Sequence, residues 1–299
     1  MNKIINSDAL DALRKLPDSC CRTCITSPPY YGLRDYGTDG KIGLENTPDQ
    51  YIENLVKIFR EVRRVLKDDG TLWVNIGDSY TQKNLNGIPW LLAFALRSDG
   101  WYLRSDIIWQ KPNAMPESVK DRPTRAHEYI FLLSKSSRYY YDAEAVKEPA
   151  VGFYNAAPAG SAGTGKPNTR RRGNSRTFRG GGAYTHDRAQ NNSATVERES
   201  HGLAPNESGK RNRRSVWTIA TRPYKGAHFA TFPEELARPC RLAGSRPGDT
   251  VLDPFAGSGT TGAVAEQEGR DFIGIEINPD YCEIIRQRLD ACCQKGAKP

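Results

Sequence analysis

Apolar residues recur along most of the 299-residue chain at spacings typical of helices or strands. Between residues 51 and 66 they lie three or four positions apart, which predicts a helix with one apolar face. Asp68-Asp69-Gly70 predicts the end of that helix, and the apolar run 71–76 predicts a buried strand. The other predicted helices are 8–16, 88–96, 233–242, 261–268 and 279–289, and the other predicted strands are 23–26, 105–109, 128–133, 249–253 and 272–276.

The alternation of strands and helices fills residues 1–140 and resumes after Trp217. It predicts an α/β protein in which helices cover a mostly parallel sheet. From about Pro149 to Ser215 the periodicity is lost, and the segment is rich in Gly, Asn, Ser and Arg. This composition is typical of a segment that is disordered or is ordered only by a partner.

The net charge of +8 resides in the basic segment, which we define as residues 165–215. This segment holds 12 of the 43 Lys and Arg residues and 4 of the 35 Asp and Glu residues, so the rest of the chain is neutral. Cationic side chains gain affinity for phosphates by releasing counterions, which indicates a polyanion as the partner. A solvated loop without a partner is the alternative.

Several classes of protein are disfavoured by the sequence. No run of 18 apolar residues is found, so we expect no membrane span, and the N-terminus lacks the apolar core of a signal peptide. The seven cysteines include the adjacent pairs Cys20-Cys21 and Cys292-Cys293, which suit neither a disulfide framework nor a zinc site. We therefore expect a cytoplasmic protein with reduced thiols and no bound metal.

The glycine-rich turn, residues 254–261, lies between a predicted strand and a predicted helix. Glycine allows the backbone to approach a nucleotide there, and Glu276, about 20 residues later at the end of the next strand, suits ribose hydroxyls. For the glycines alone, a tight structural turn is the alternative. The turn lacks the Gly-Lys-Ser/Thr ending of a phosphate loop, which disfavours nucleotide triphosphate hydrolysis.

The proline loop, Thr26-Ser27-Pro28-Pro29-Tyr30, follows the first strand that the pattern predicts. The two prolines force a rigid turn, which holds the Ser27 hydroxyl and the Pro28 carbonyl in fixed places. These two oxygens are suited to accept hydrogen bonds from an aromatic amine, so that its lone pair is freed to attack a methyl group. Tyr30 is suited to stack on a base rotated out of a duplex. An ordinary Pro-Pro turn is the alternative.

Six sequence blocks resemble motifs of the amino-methyltransferases of DNA. The blocks, with the motifs that they resemble, are 6–10 (III), 27–30 (IV), 125–128 (VIII), 228–233 (X), 253–261 (I) and 274–276 (II). Their order resembles the circularly permuted beta arrangement of that family, in which the target-recognition region follows motif VIII. The order also disfavours glutamine methylation of release factors, because those enzymes place the cofactor motif first.

The resemblance implies a doubly wound, mostly parallel, seven-stranded Rossmann-like sheet. It implies a catalytic half at 1–148, a target-recognition insert at 149–216 and a cofactor-binding half at 217–299. It further implies S-adenosyl-L-methionine as cofactor, no metal, and double-stranded DNA as substrate. A homodimer, a companion restriction endonuclease and a bacterial, archaeal or phage origin are also expected.

The resemblance assigns roles to individual residues. Catalysis falls to Ser27, Pro28, Pro29 and Tyr30, while His127 and Glu128 brace the proline loop and Trp217 belongs to the core. The expected cofactor-binding residues are Asp8, Thr26, Phe229, Phe232, Asp253, Pro254, Phe255, Gly257, Ser258, Gly259, Thr260 and Glu276. The expected DNA-binding residues are Arg170, Arg171, Arg172, Arg176, Arg179, Arg211, Arg213 and Arg214.

The choice of target base rests on Ser27. In the family that the chain resembles, serine at this position accompanies methylation of cytosine N4 more often than of adenine N6. The sequence therefore predicts cytosine N4, with adenine N6 as the alternative. It also leaves open an inactive DNA-binding homologue and an RNA methyltransferase. The intact loop and turn disfavour the inactive homologue, and the absence of a recognisable RNA-binding signature disfavours the RNA enzyme.

Overall fold

The computed structural model describes residues 2–32, 42–150, 209–221 and 232–296. The strands are β1 (Lys3–Asn6), β2 (Cys21–Thr26), β3 (Leu66–Ile76), β4 (Tyr80–Thr81), β5 (Asn84–Leu85), β6 (Tyr102–Gln110), β7 (His127–Ser134), β8 (Glu148–Pro149), β9 (Lys210–Arg211), β10 (Val216–Thr218), β11 (Thr250–Asp253) and β12 (Asp271–Glu276). The helices are α1 (Ala9–Arg14), α2 (Pro48–Val65), α3 (Ile88–Ser98), α4 (Glu234–Gly244), α5 (Thr260–Glu266) and α6 (Pro279–Gly296).

The main sheet has the strand order β1-β12-β11-β2-β3-β7-β6-β10. Strand β7 is antiparallel to both of its neighbours, and every other adjacent pair is parallel. Strands from the two ends of the chain therefore interleave in one sheet. The predicted fold class is confirmed, but in the described part of the chain the sheet has eight strands rather than seven. The eighth, β10, pairs only three residues with β6, which is too short a segment to show periodicity.

Helices cover both faces of the sheet, as a doubly wound fold requires. Helix α2 begins where the Thr47 side chain caps the Gln50 amide, and its apolar face buries Leu55, Phe59 and Val62. It packs with α1 and α3 in one apolar cluster, whereas residues of α4, α5 and α6 join a second cluster that contains Trp73. Trp217 also lies in the second cluster, as predicted.

The strand predicted at 71–76 begins earlier than expected and includes Asp68-Asp69-Gly70. Helix α2 ends at Val65, and β3 begins at the next residue and runs through these three positions. The pairing of β2 with β3 shifts register between Cys21 and Thr23, which accommodates the irregular start of β3. A Cβ atom on Gly70 would lie 2.9 Å from the Arg22 carbonyl oxygen, so the glycine allows close backbone approach rather than a turn.

The chain divides into two compact units, residues 1–147 with 212–299, and residues 148–211. The first contains the main sheet and its helices. In the second, the described part is a short antiparallel pairing of β8 with β9, in which Arg211 Nε lies 2.8 Å from Glu148 Oε1. Among the helices of the described ranges, none is long and apolar enough to cross a membrane.

Candidate active site

The carboxyl ends of β2, β3, β11 and β12 lie at one edge of the sheet, because these strands are parallel. The proline loop begins at the end of β2, and the glycine-rich turn follows β11. Glu276 is the last residue of β12. The topology therefore brings together the two motifs that the sequence separates by more than 200 residues.

A hydrogen bond between Thr26 and Asp253 joins the proline loop to the glycine-rich turn. Thr26 Oγ1 donates to Asp253 Oδ1 at 2.6 Å, and the Phe255 amide donates to the same oxygen at 3.1 Å. Both side chains are almost fully buried, and burial raises the pKa of Asp253 to about 6. These contacts give Thr26 and Asp253 a structural role, and their predicted contact with the cofactor stays a prediction.

Glu276 holds the glycine-rich turn through its carboxylate. Oε2 accepts the Gly257 amide at 2.9 Å, and Oε1 accepts the Asn278 amide at 2.9 Å. Burial raises the pKa of this carboxyl group. Gly257 has a φ of +52°, a conformation that favours glycine. The predicted ribose contact would use a carboxylate that backbone amides already orient.

Other predicted cofactor residues of the turn differ in what their side chains do. Phe255 is half-buried and Pro254 is buried. The Ser258 and Thr260 hydroxyls instead lie 3.4 and 3.2 Å from Arg288 Nη1 on α6, and both residues are almost fully buried. A Cβ atom on Gly259, whose φ is +76°, would lie 3.0 Å from Ile285. Any cofactor contact from these last three positions is therefore expected to come from the backbone.

Two of the remaining predicted cofactor residues, Asp8 and Phe232, lie near this edge. Asp8 caps α1, because its Oδ1 accepts the Leu10 amide at 2.8 Å and the Asp11 amide at 3.2 Å. It follows the carboxyl end of β1, and β12 separates that strand from β11. Phe232 is half-buried just before α4, and Phe229 lies outside the described residues.

The proline loop is held by a hydrogen bond from Tyr51 and by packing of the Tyr30 ring. Tyr51 of α2 donates its hydroxyl proton to the Pro29 carbonyl at 2.7 Å. Among the described residues, no hydrogen bond to the neighbouring Pro28 carbonyl is found. The Tyr30 ring packs against Gly77, where a Cβ atom would lie 2.7 Å from Tyr30 Cε2.

The Tyr30 hydroxyl belongs to a polar cluster of five side chains. It donates to Glu128 Oε2 at 2.7 Å and accepts from Asn75 Nδ2 at 2.9 Å, and it lies 3.4 Å from Ser27 Oγ. Asn75 Nδ2 also lies 3.1 Å from Glu128 Oε2. Lys111 completes the cluster through an ion pair with Glu128. The prediction that Glu128 braces the loop is confirmed. Bracing by His127 and stacking of Tyr30 on a base stay predictions.

Sequence reasoning missed Asn75, Lys111 and Tyr51 as residues of the site. Asn75 is a polar residue near the end of the apolar strand β3, which neighbours β2. Because carboxyl ends of adjacent parallel strands share an edge, this position carried a usable signal. Lys111 and Tyr51 carried none, since their contacts depend on where β6 and α2 pack.

Burial and hydrogen bonding determine the charge state of the tyrosine. Burial raises the pKa of Tyr30 well above its usual value, and the nearby Glu128 carboxylate raises it further. The phenol therefore stays protonated and acts as a donor to Glu128. A small, mainly apolar cleft lies beside this cluster, and Thr26, Asn75 and Phe232 are among its lining residues.

The structure describes three of the eight arginines predicted to bind DNA. Arg211 pairs with Glu148. The Arg213 guanidinium lies 4.5 Å from the centre of the Trp217 ring, and Arg214 is exposed. The five others, Arg170, Arg171, Arg172, Arg176 and Arg179, lie outside the described residues. In the described ranges, no cluster of His, Cys, Asp or Glu is suited to hold a metal ion.

Comparison with known proteins places this site in a family. The sequence profile of a family described as DNA methylase matches residues 21–287. The type II methyltransferase M.Cfr9I of Citrobacter freundii is 47% identical, over 96% of this chain and 87% of that protein.

Two solved structures share the fold. The cytosine-N4-specific PvuII DNA methyltransferase has a TM-score of 0.66 at 19% identity, covering 98% of this chain and 91% of that one. A DNA modification methylase of Thermus thermophilus, complexed with S-adenosyl-L-methionine, has a TM-score of 0.61 at 23% identity, covering 98% and 94%. The chain, in which the proline loop precedes the glycine-rich turn, belongs to the DNA methylase family and is a DNA amino-methyltransferase.

Proposed function

We propose that this enzyme methylates N4 of cytosine within a specific sequence of duplex DNA, using S-adenosyl-L-methionine. The observation that carries the proposal is the placement of Ser27 Oγ and the Pro28 carbonyl on one rigid loop beside the glycine-rich turn. The choice of cytosine rests on serine at this position, and it agrees with the fold shared with the cytosine-N4-specific PvuII enzyme. The alternative product is N6-methyladenine.

The residues at the strand ends fit the proposed cofactor. Glu276 presents a carboxylate fixed by two amides, which suits ribose hydroxyls, and half-buried Phe255 offers an apolar surface to the adenine. The Gly257 backbone allows close approach, and Phe232 lines the adjoining cleft. When bound, S-adenosyl-L-methionine supplies a methyl group made electrophilic by its sulfonium. We include Asp8, Phe229 and the backbone at Ser258–Thr260 in this proposed site.

The residues of the proline loop orient the amine of the base. Ser27 Oγ and the Pro28 carbonyl accept its two N–H groups, which favours the pyramidal form and frees the lone pair. Tyr51 and Glu128 fix the loop, so the acceptors are in place before the base arrives. No tuned general base is needed, because the methylated amine loses its extra proton to solvent.

The base must leave the duplex to reach this edge of the sheet. We assign recognition of the duplex to the insert at 149–216, whose basic segment is suited to phosphates and guanine edges. Arg214 is exposed and fits this role. Arg211, which pairs with Glu148, and Arg213, which lies over the Trp217 ring, are included in the same proposed interface. A homodimer, a companion restriction endonuclease and a cytoplasmic location stay predictions.

The product of the reaction decides between the two bases. PCR-amplified DNA, which carries no methylated base, is incubated with the enzyme and labelled S-adenosyl-L-methionine and then digested to nucleosides. We expect the label in N4-methylcytosine. Label in N6-methyladenine would replace the cytosine assignment, and label in RNA but not in DNA would overturn the DNA substrate. Protein that binds DNA but transfers no label would be an inactive homologue.

Removal of charge from the basic segment is expected to weaken DNA binding and to flatten its salt dependence. If Arg170, Arg171 and Arg172 contact phosphates, their change to Gln should reduce the slope of log affinity against log salt by up to about 3. Binding to a duplex is measured by fluorescence anisotropy over a range of salt concentrations. The control changes Arg14, Arg60 and Arg286 to Gln, each of which pairs with a carboxylate elsewhere on the protein. Equal slopes for the two triple variants would remove the segment from the DNA interface.

A further inference from the structure

We propose that Glu128 is a positioning residue that fixes the direction of a hydrogen-bond chain, so that Ser27 Oγ faces the substrate only as an acceptor. The chain runs from Ser27 through Tyr30 to Glu128, and Asn75 and Lys111 complete it. The inference rests on the proposed methylation of a base amine. It goes beyond bracing of the loop, because it assigns Glu128 control over where one proton points.

The Glu128 carboxylate can only accept hydrogen bonds, and three donors surround it. Oε1 is paired with the Lys111 ammonium. Oε2 accepts from Tyr30 at 2.7 Å and from Asn75 Nδ2 at 3.1 Å. A reversed Asn75 amide would place its oxygen against the carboxylate, so the orientation with Nδ2 toward Glu128 is the favourable one.

The single hydroxyl proton of Tyr30 is therefore committed to Glu128. The Tyr30 oxygen can then only accept, and its two other polar neighbours among the described residues are Asn75 Nδ2 at 2.9 Å and Ser27 Oγ at 3.4 Å. Asn75 Nδ2 also approaches Ser27 Oγ at 3.4 Å, and it too is a donor. The Ser27 proton thus has the Tyr30 oxygen as its acceptor inside the cluster.

This arrangement matches what an amine requires. With its own proton turned toward Tyr30, Ser27 Oγ presents lone pairs to the N–H groups of the base. If the chain ran the other way, Tyr30 would donate to Ser27, and the Ser27 proton would point at the amine hydrogens. The Ser27–Tyr30 distance of 3.4 Å is long, and such contacts often shorten when substrate binds.

Glu128→Gln tests the direction of the chain, because the amide has nearly the same shape but can donate to Tyr30. That donation frees the Tyr30 proton to point at Ser27. We expect the single-turnover rate of methyl transfer to PCR-amplified duplex DNA to fall by roughly 10- to 100-fold. The affinity for S-adenosyl-L-methionine should stay unchanged, whereas loss of the ion pair with Lys111 should lower the melting temperature. The matched control is Glu61→Gln, which removes a carboxylate paired with Arg64 at 2.7 Å on α2.

The same substitution in a Ser27→Ala background separates direction from bracing. Without the Ser27 hydroxyl there is no proton to orient, so Glu128→Gln should change the residual rate by about twofold or less. An equal loss in both backgrounds would show that Glu128 only braces the loop, and no loss in either would overturn the inference. A wild-type enzyme that transfers no methyl to DNA would instead refute the proposed function.

Tyr30→Phe provides an independent test should Glu128→Gln fail to fold. It keeps the ring that packs against Gly77 and removes only the oxygen that accepts the Ser27 proton. We expect a loss of about tenfold in otherwise native protein and about twofold or less in the Ser27→Ala background. If the losses from Tyr30→Phe and Ser27→Ala were additive, the proposed hydrogen-bond chain would be contradicted.

Discussion

Replacement of Ser27 by alanine is expected to lower the rate of methyl transfer on the order of 100-fold, because the amine loses one of its two acceptors. The Pro28 carbonyl would remain, but a single acceptor orients only one N–H group. The affinity for S-adenosyl-L-methionine should change by about twofold or less, since the contacts that organise the glycine-rich turn come from Asp253 and Glu276.

The measurement is a single-turnover assay with labelled cofactor, combined with calorimetric titration of the cofactor alone. Ser98→Ala is the control, because Ser98 is exposed at the end of α3. The fold should survive in both variants, since Ser27 is only half-buried and its contacts within the cluster are long. A parallel fall in rate and cofactor affinity would remove the assigned role, because it would show a general loss of the site.

Much of the fold could be predicted because its signals are local. The apolar face of α2 is visible as a helical spacing, and the pairing of Glu276 with the glycine-rich turn follows from their separation along the chain. The resemblance then supplied the doubly wound architecture, which local patterns do not contain. The extra strand β10 escaped prediction because three residues show no period.

The polar cluster could not be predicted to the same extent, because it is made by packing. Asn75, Lys111 and Glu128 come from three different parts of the chain, and only the sheet brings them to Tyr30. Residue type alone also does not show what a side chain contacts. Ser258 and Thr260 have the polarity expected of cofactor ligands, yet their hydroxyls contact Arg288.

The second large effect is expected at Asp253, where an asparagine should make the protein more stable at neutral pH. The pKa of Asp253 is raised by burial from its ordinary value of 3.8 to about 6. The folded state therefore binds a proton more tightly than the unfolded state, and stability falls as the pH rises between about 4 and 6. Above that range the buried charge costs about 3 kcal/mol.

Asp253→Asn removes the charge and keeps the oxygen that accepts from Thr26 and from the Phe255 amide. The new amide group needs an acceptor, and its cost of about 1–2 kcal/mol does not depend on pH. The free energy of unfolding of the variant, relative to that of the native protein, should therefore rise by about 2 kcal/mol between about pH 4.5 and about pH 8. Urea unfolding at several pH values measures this change.

Asp249→Asn is the matched control, because the pKa of that carboxyl moves the other way. Burial pushes the pKa of Asp249 up, but the Arg246 amide and the charges of Lys67 and Arg22 outweigh it, and the pKa is lowered. Its charge stabilises the fold above the unfolded pKa, so this variant should lose stability as the pH rises. The same pH dependence in both variants, or a constant difference at Asp253, would show that Asp253 is not buried as a costly charge. Stability differences that change with pH in opposite directions would show that Asp253 is buried as a costly charge. Its bond with Thr26 joins the proline loop to the glycine-rich turn.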